Sequence, residues 1–230
     1  MVSIQGHLAP IPTPFTDDLS NVSEVRLARL IRALSPRVAG FVVTALAGEF
    51  TTLSFGERKQ VVEIVVREAH GQPVLAHVSS LSTPASLDLA QHANRHGVAA
   101  CLLMPPYYGK FRGDEIREHL VTLARFAQGP VWMLDPDGQI GSEALGGLHD
   151  LPGVVFATGP SSDEFSCNGA EAHPKSAMPA SIAGDDGLWH TESSVAILKA
   201  AWEMADLDLG PCRAPRRMLT PEARGRLRAV

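Results

Sequence analysis

Short apolar, β-branched runs return along this chain at roughly thirty-residue intervals, the length of one strand–helix unit. They cover residues 41–46, 73–78, 98–104, 130–134, 153–157 and 180–183. Between them lie amphipathic stretches; Leu27, Leu30, Ile31 and Leu34 follow the i, i+3, i+4, i+7 spacing of a helix with one buried face. Strands apolar on both faces and each followed by a helix require a parallel sheet covered by helices. No glycine-rich dinucleotide fingerprint follows any strand, so a (β/α) barrel is expected over an open doubly wound sheet.

Helix boundaries are written locally. Ser54 and Glu57 make an S-x-x-E capping box ahead of residues 61–66. Thr83 is placed to cap a helix beginning at Pro84, with Gly97 ending it in a left-handed conformation. The strand pattern fades after Leu188, where an Ala-rich helix is expected at residues 193–205 and a second at 220–229, capped by Thr220-Pro221. This divides the chain into a barrel over residues 1–188 and a shortened helical segment over 189–230.

Composition excludes several classes. A formal net charge of −5 and 6% aromatic residues do not suit a nucleic-acid groove. No apolar run reaches the ~18 residues of a membrane span, and residues 1–15 lack the charged and apolar regions of a leader. Cys101, Cys167 and Cys212 are dispersed and odd in number, which fits a reducing cytoplasm better than a disulfide framework.

Several motifs occur in a telling order: GHLAPIPTPF at 6–15, AGEFTTLS at 47–54, Ser82-Thr83, PPYY at 105–108, Gly184-Asp185-Asp186 and Arg213-Ala214-Pro215. Together they resemble the dihydrodipicolinate synthase/N-acetylneuraminate lyase family of pyruvate-dependent class I aldolases. The resemblance implies a (β/α)8 TIM barrel, a lyase or synthase activity on a 2-oxo acid such as pyruvate, no cofactor, and a homo-oligomer, dimer or tetramer. It also implies a Schiff-base lysine at the end of strand six, whose amine must be neutral to attack a ketone.

The matching position is Ala157. The chain has four lysines, Lys59, Lys110, Lys175 and Lys199, none placed by the strand pattern at a strand's C-terminal end; Lys175 is the nearest substitute. The resemblance implies a proton relay of two tyrosines. One matches Tyr108, which family members lend to a neighbouring subunit; the other falls at Leu134. Family hydroxyls that hold a carboxylate are replaced in Leu46, Ala47, Gly48 and Glu49, whose backbone amides remain as a candidate anion site. A substrate-binding arginine falls at Gln139, and Gly184 completes the implied substrate set. The barrel is also short by the standard of about 250 residues, with the deficit between residues 186 and 199, so strand eight is expected to be incomplete. Residues 193–205 or a partner chain would then cover the gap.

Other polar residues carry two readings. Glu49, His77, Asp135, Asp137, Asp185 and Asp186 fall near expected strand ends and could hold a divalent cation for metal-enolate chemistry, or serve turns and hydrogen bonds. His92 and His96 have the i, i+4 spacing of zinc ligands but lack an H-E-x-x-H signature, and are read as a solvated helix face; no metal site is assigned. Tyr107 and Tyr108 suit an oligomer interface. The basic run at 213–217 reads as solvated surface. The expectation is therefore a lyase-family barrel that has lost Schiff-base catalysis. The alternatives are an active lyase using a metal or a relocated lysine, and a non-catalytic partner of a complete family member.

Overall fold

The computed structural model describes residues 4–106, 108–135, 148, 151–161 and 164–230. Eight strands join in chain order into a closed barrel: β1 (Gly6–Pro10), β2 (Gly40–Val43), β3 (Val74–His77), β4 (Ala100–Leu103), β5 (Val131–Leu134), β6 (Val154–Ser161), β7 (Glu164–Cys167) and β8 (Ala170–Ala172). Helices α1 (Glu24–Leu34), α2 (Phe55–Glu68), α3 (Thr83–Arg95) and α4 (Gly113–Phe126) follow β1 to β4 and pack neighbour against neighbour outside them. After the barrel come α5 (Asp186–Thr191), α6 (Ser194–Met204) and α7 (Pro221–Arg224).

The period-two alternation of each strand sorts the core into two clusters. Leu8, Val42, Leu75, Leu102, Trp132 and Phe165 point inward and fill the barrel, with Trp132 and Phe165 edge-to-face at 6.4 Å between ring centroids. Phe41, Val43, Ala76, Leu103 and Met133 point outward and bury the apolar stripes of the helices, including Leu27, Leu30, Ile31 and Leu34 of α1. The capping box at Ser54 forms as expected: Glu57 N–H donates to Ser54 Oγ at 3.2 Å, and Ser54 N–H donates to Glu57 Oε2 at 2.8 Å. Gly97 ends α3 with φ +88°. The cap of α3 is Ser82, one residue before Thr83, whose hydroxyl instead pairs with His119 Nδ1 at 2.8 Å.

Closure of the barrel differs from the expected arrangement. Neither residues 193–205 nor a partner covers an open edge. Strand β7 runs antiparallel to β6, β8 runs antiparallel to β7, and β8 pairs parallel with β1 through Gly6–Ala170, His7–Glu171 and Leu8–Ala172. Two strands of a meander thus replace two strand–helix units. The turn between β7 and β8 is Asn168-Gly169, with φ +50° and +91°, the left-handed pair that a two-residue hairpin turn demands. Phe165 and Cys167, with Ala170 and Ala172, alternate inward around it. This signal stood in the sequence, Asn-Gly flanked by alternating apolar residues, but the parallel-unit reading left no place for a hairpin.

Two further segments are corrected. Gly184-Asp185-Asp186 does not end a barrel strand; β9 (Ile182–Gly184) pairs antiparallel with β10 (Leu227–Ala229) in a separate two-stranded sheet. The expected helix at 220–229 keeps its Thr220 cap on Ala223 N–H, but α7 ends at Arg224 and β10 follows.

Candidate functional site

The C-terminal mouth is where a parallel barrel gathers its functional groups, because every parallel strand delivers a loop there. Leu134 on β5 and Ala157 on β6 are register partners in the parallel ladder and belong to the same buried cluster inside the barrel. The positions matched to the relay tyrosine and the Schiff-base lysine are therefore immediate neighbours. Both are apolar, with Leu134 fully buried and Ala157 5% exposed.

The loop after β2 turns sharply, with Thr44 and Glu49 at φ +52° and +56°. Leu46 faces a cleft at this end of the barrel. Ala47 and Glu49 are buried. Within the turn, Glu49 N–H donates to the Leu46 carbonyl at 3.0 Å, and the Gly48 carbonyl accepts from Thr13 Oγ1 at 2.7 Å. The Glu49 carboxylate meets the C-terminal segment. Lys199 Nζ lies 2.8 Å from its Oε1, both side chains being inaccessible to water, and Arg213 N–H donates to its Oε2 at 2.9 Å. Lys199 also donates to the Pro211 carbonyl at 2.7 Å and sits over the Phe15 ring. Burial pushes the Lys199 ammonium below the usual lysine range, an effect Glu49 opposes.

Arg213 is not on a solvated surface. Its guanidinium stacks on Phe15 and donates to both oxygens of Glu57 at 2.6 and 2.9 Å. That contact holds the Glu57 carboxyl below its ordinary range.

His77, at the end of β3, is buried. Its Nδ1 donates to the Thr44 carbonyl at 3.0 Å, and its ring meets Phe50 edge-on at 4.6 Å. Thr44 Oγ1 and Arg58 both donate to the His77 carbonyl. Burial, reinforced by the Arg58 charge, lowers its pKa to about 3, so the imidazole is neutral at physiological pH.

A cleft of about 620 Å³ opens at the mouth, lined by Leu46, Ser161, Lys175, Arg216, Trp189 and Ser194 among others. Lys175 lies three residues beyond the end of β8, because β8 rather than the 180–183 run closes the barrel. It is half exposed and 2.6 Å from Asp186, which it holds below the ordinary carboxyl range. Asp185 caps α5 through Leu188 N–H and pairs with Arg226. Gly184 sits in β9, where an added Cβ would meet the Leu227 and Leu188 side chains. Tyr108 is exposed, edge-on to Phe111 at 5.3 Å, and lines a separate cleft with Thr83 and His119. Asp135 is described but half-buried; Tyr107, Asp137 and Gln139 lie outside the described residues.

Of the six residues whose types suited a metal ring, Asp137 lies outside the described residues and the other five are not assembled as one. Glu49, Asp185 and Asp186 each face a cation of the chain, and His77 faces a carbonyl. Among the described residues, the one group of three metal-binding side chains with donor atoms within 4.8 Å of one another is Glu63, His92 and His96. His92, its side chain 13% exposed, packs against Glu63 of α2 rather than standing on a solvated face.

Residues 3–144 match the dihydrodipicolinate synthetase family. The chain belongs to this family. It is 35% identical over 140 residues to 4-hydroxy-tetrahydrodipicolinate synthase of Methanopyrus kandleri, covering 60% of this chain and 47% of that protein. It is 32% identical over 180 residues to N-acetylneuraminate lyase of Salmonella paratyphi B, covering 75% of this chain and 60% of that one. The chain therefore spans about half to three fifths of the length of these curated relatives. A solved Ruminococcus gnavus sialic acid aldolase, mutated at its catalytic lysine, superposes with a TM-score of 0.81 at 19% identity, covering 96% of this chain and 92% of that one. At that identity the likeness is one of fold. The family match stops before β6, so the meander that closes the barrel lies beyond it.

Proposed function

We propose that this chain is a lyase-family barrel that has given up Schiff-base chemistry and keeps a mouth able to hold a small carboxylate, such as a 2-oxo acid like pyruvate. The observation that carries this reading is the register pair Leu134–Ala157: two adjacent, buried, apolar side chains at the matched relay and nucleophile positions. An iminium needs an amine within reach of a ketone and a group to move protons; neither a methyl nor an isobutyl side chain supplies these. The carboxylate would enter the cleft between Leu46 and Arg216, where Ser194 begins α6 and the helix dipole favours an anion. Self-association into a dimer or tetramer through the PPYY loop, with Tyr108 exposed there, belongs to the same reading. So does a cytoplasmic setting, which its three free, buried cysteines support; no described helix is long and apolar enough to cross a membrane.

One observation favours a second reading, an active lyase with a relocated nucleophile: Lys175 follows β8 and lines the mouth cleft. Incubation with pyruvate, borohydride reduction and intact-mass measurement separate the two. The expected result is an unchanged mass, with pyruvate still perturbing amide resonances around Leu46. A reduced adduct that disappears in Lys175→Arg would establish the second reading instead.

A further inference from the structure

Helices α2 and α3 face each other across a ladder of polar side chains spaced one turn apart. Lys59 of α2 pairs with Asp88 of α3 at 2.6 Å. On the next rung, Glu63 Oε1 lies 3.0 Å from His92 Nε2 and 3.9 Å from His96 Nε2. The two imidazole rings are 4.1 Å apart between centroids and tilted by 33°. The cations flanking Glu63 on its own helix are engaged elsewhere: Lys59 with Asp88, and Arg67 with Glu24 and Glu68.

The hydrogen bonding of this rung is incomplete in an informative way. His96 Nδ1 lies 2.8 Å from the His92 carbonyl, which can only accept, so Nδ1 carries the proton. In the neutral ring Nε2 is then a lone pair aimed at a carboxylate oxygen. His92 Nε2 is buried, and its approach to Glu63 lacks the angles of a hydrogen bond. Three potential ligand atoms, two imidazole nitrogens and a carboxylate oxygen, thus converge within 4.8 Å of one another. A ring whose Nδ1–H is anchored on a backbone carbonyl is also the arrangement that orients a metal-ligating histidine.

We infer that Glu63, His92 and His96 form a binding site for a borderline divalent cation, zinc above all, that bridges α2 and α3 on the outside of the barrel. A metal about 2.0–2.1 Å from each donor in tetrahedral geometry holds the donors roughly 3.4 Å apart. The observed 3.0 and 3.9 Å bracket that value. Two imidazoles and one carboxylate suit zinc, copper or nickel better than calcium or magnesium, which prefer oxygen donors. Three protein ligands leave a fourth position for water or an exchangeable group. The site lies on helices away from the barrel mouth and is independent of the carboxylate reading above.

The test is titration of the full, chelator-stripped chain with zinc chloride by calorimetry, and with cobalt(II) by visible absorption, in parallel with Glu63→Gln and His96→Asn. Both substituted side chains are substantially exposed, and circular dichroism checks that each variant folds. His7→Asn is the control, since His7 forms a separate pair with Glu171. The expected result is one zinc per chain, the intense absorption of tetrahedral cobalt, at least tenfold weaker binding in both site variants, and no change in the control. Absence of saturable binding, or binding that both site variants leave intact, would overturn the assignment.

Discussion

The barrel wall from β2 to β4 and the wall from β6 through β8 to β1 solve the same closure problem differently. In the first, each strand is parallel to its neighbours and followed by a helix, so its outward residues, such as Phe41, Val43 and Leu103, are apolar and buried. In the second, the outward residues form a polar row, Thr158, Ser166, Glu171 and His7, which are register neighbours across four strands and all exposed. The inward faces of both walls are equally apolar. A barrel must fill its interior whatever surrounds it, whereas the outer face needs apolar residues only where a helix covers it. The meander also gives β1 a hydrogen-bonded neighbour, removing an edge that a lone seven-strand remnant would expose.

Substitutions that separate packing from covering sharpen this contrast. The largest effect is expected at the clamp joining the helix-covered wall to the C-terminal segment. Lys199→Met leaves Glu49 charged and buried without its partner, and urea denaturation should show a loss of about 3–5 kcal/mol. Adding Glu49→Gln should recover much of it; no recovery would mean that the pair is not the source of the loss. On the meander wall, Phe165→Ala should cost about 3–5 kcal/mol, because the ring fills the interior against Trp132. Ser166→Val on the outer face of the same strand should stay within about 0.5 kcal/mol. Similar losses at both positions would show that the outer face is covered after all.

A pH effect follows from the helix-covered wall. His77 titrates at about 3 when folded and near 6.5 when exposed. The unfolded chain binds the proton first, so the stability this group contributes is complete above pH 6.5 and is lost as pH falls toward 3. Between pH 7 and pH 5 the expected loss from this residue is about 2 kcal/mol. His77→Gln should flatten the stability profile by up to one proton over that range; an unchanged slope would assign the acid sensitivity to other groups. A smaller loss than at Lys199 or Phe165 is expected at the hairpin turn. Gly169→Ala forces a left-handed residue to carry a Cβ, which would meet the Gln5 side chain, for about 1–2 kcal/mol. Its readout is a lower thermal midpoint with β6–β8 amides exchanging faster than those of β2–β4.

The helix-covered wall was legible because its signals are local: the 3.6-residue stripe of α1, the Ser54–Glu57 box, the glycine after α3. Lys199 and Arg213 were not legible as buried, since their partners Glu49 and Glu57 lie more than 140 positions away and nothing nearby announces the pairing. The same holds for Glu63, which no spacing rule connects to His92 and His96.

By itself the amino-acid order determined the helix-covered run of parallel strands and placed alanine at residue 157, the position that the resemblance matches to an amine, because periodicity and side-chain identity are properties of the chain alone. Tertiary structure decided how the barrel closes, that Lys175 follows its last strand, and which charges meet, because those depend on contacts between residues distant in sequence.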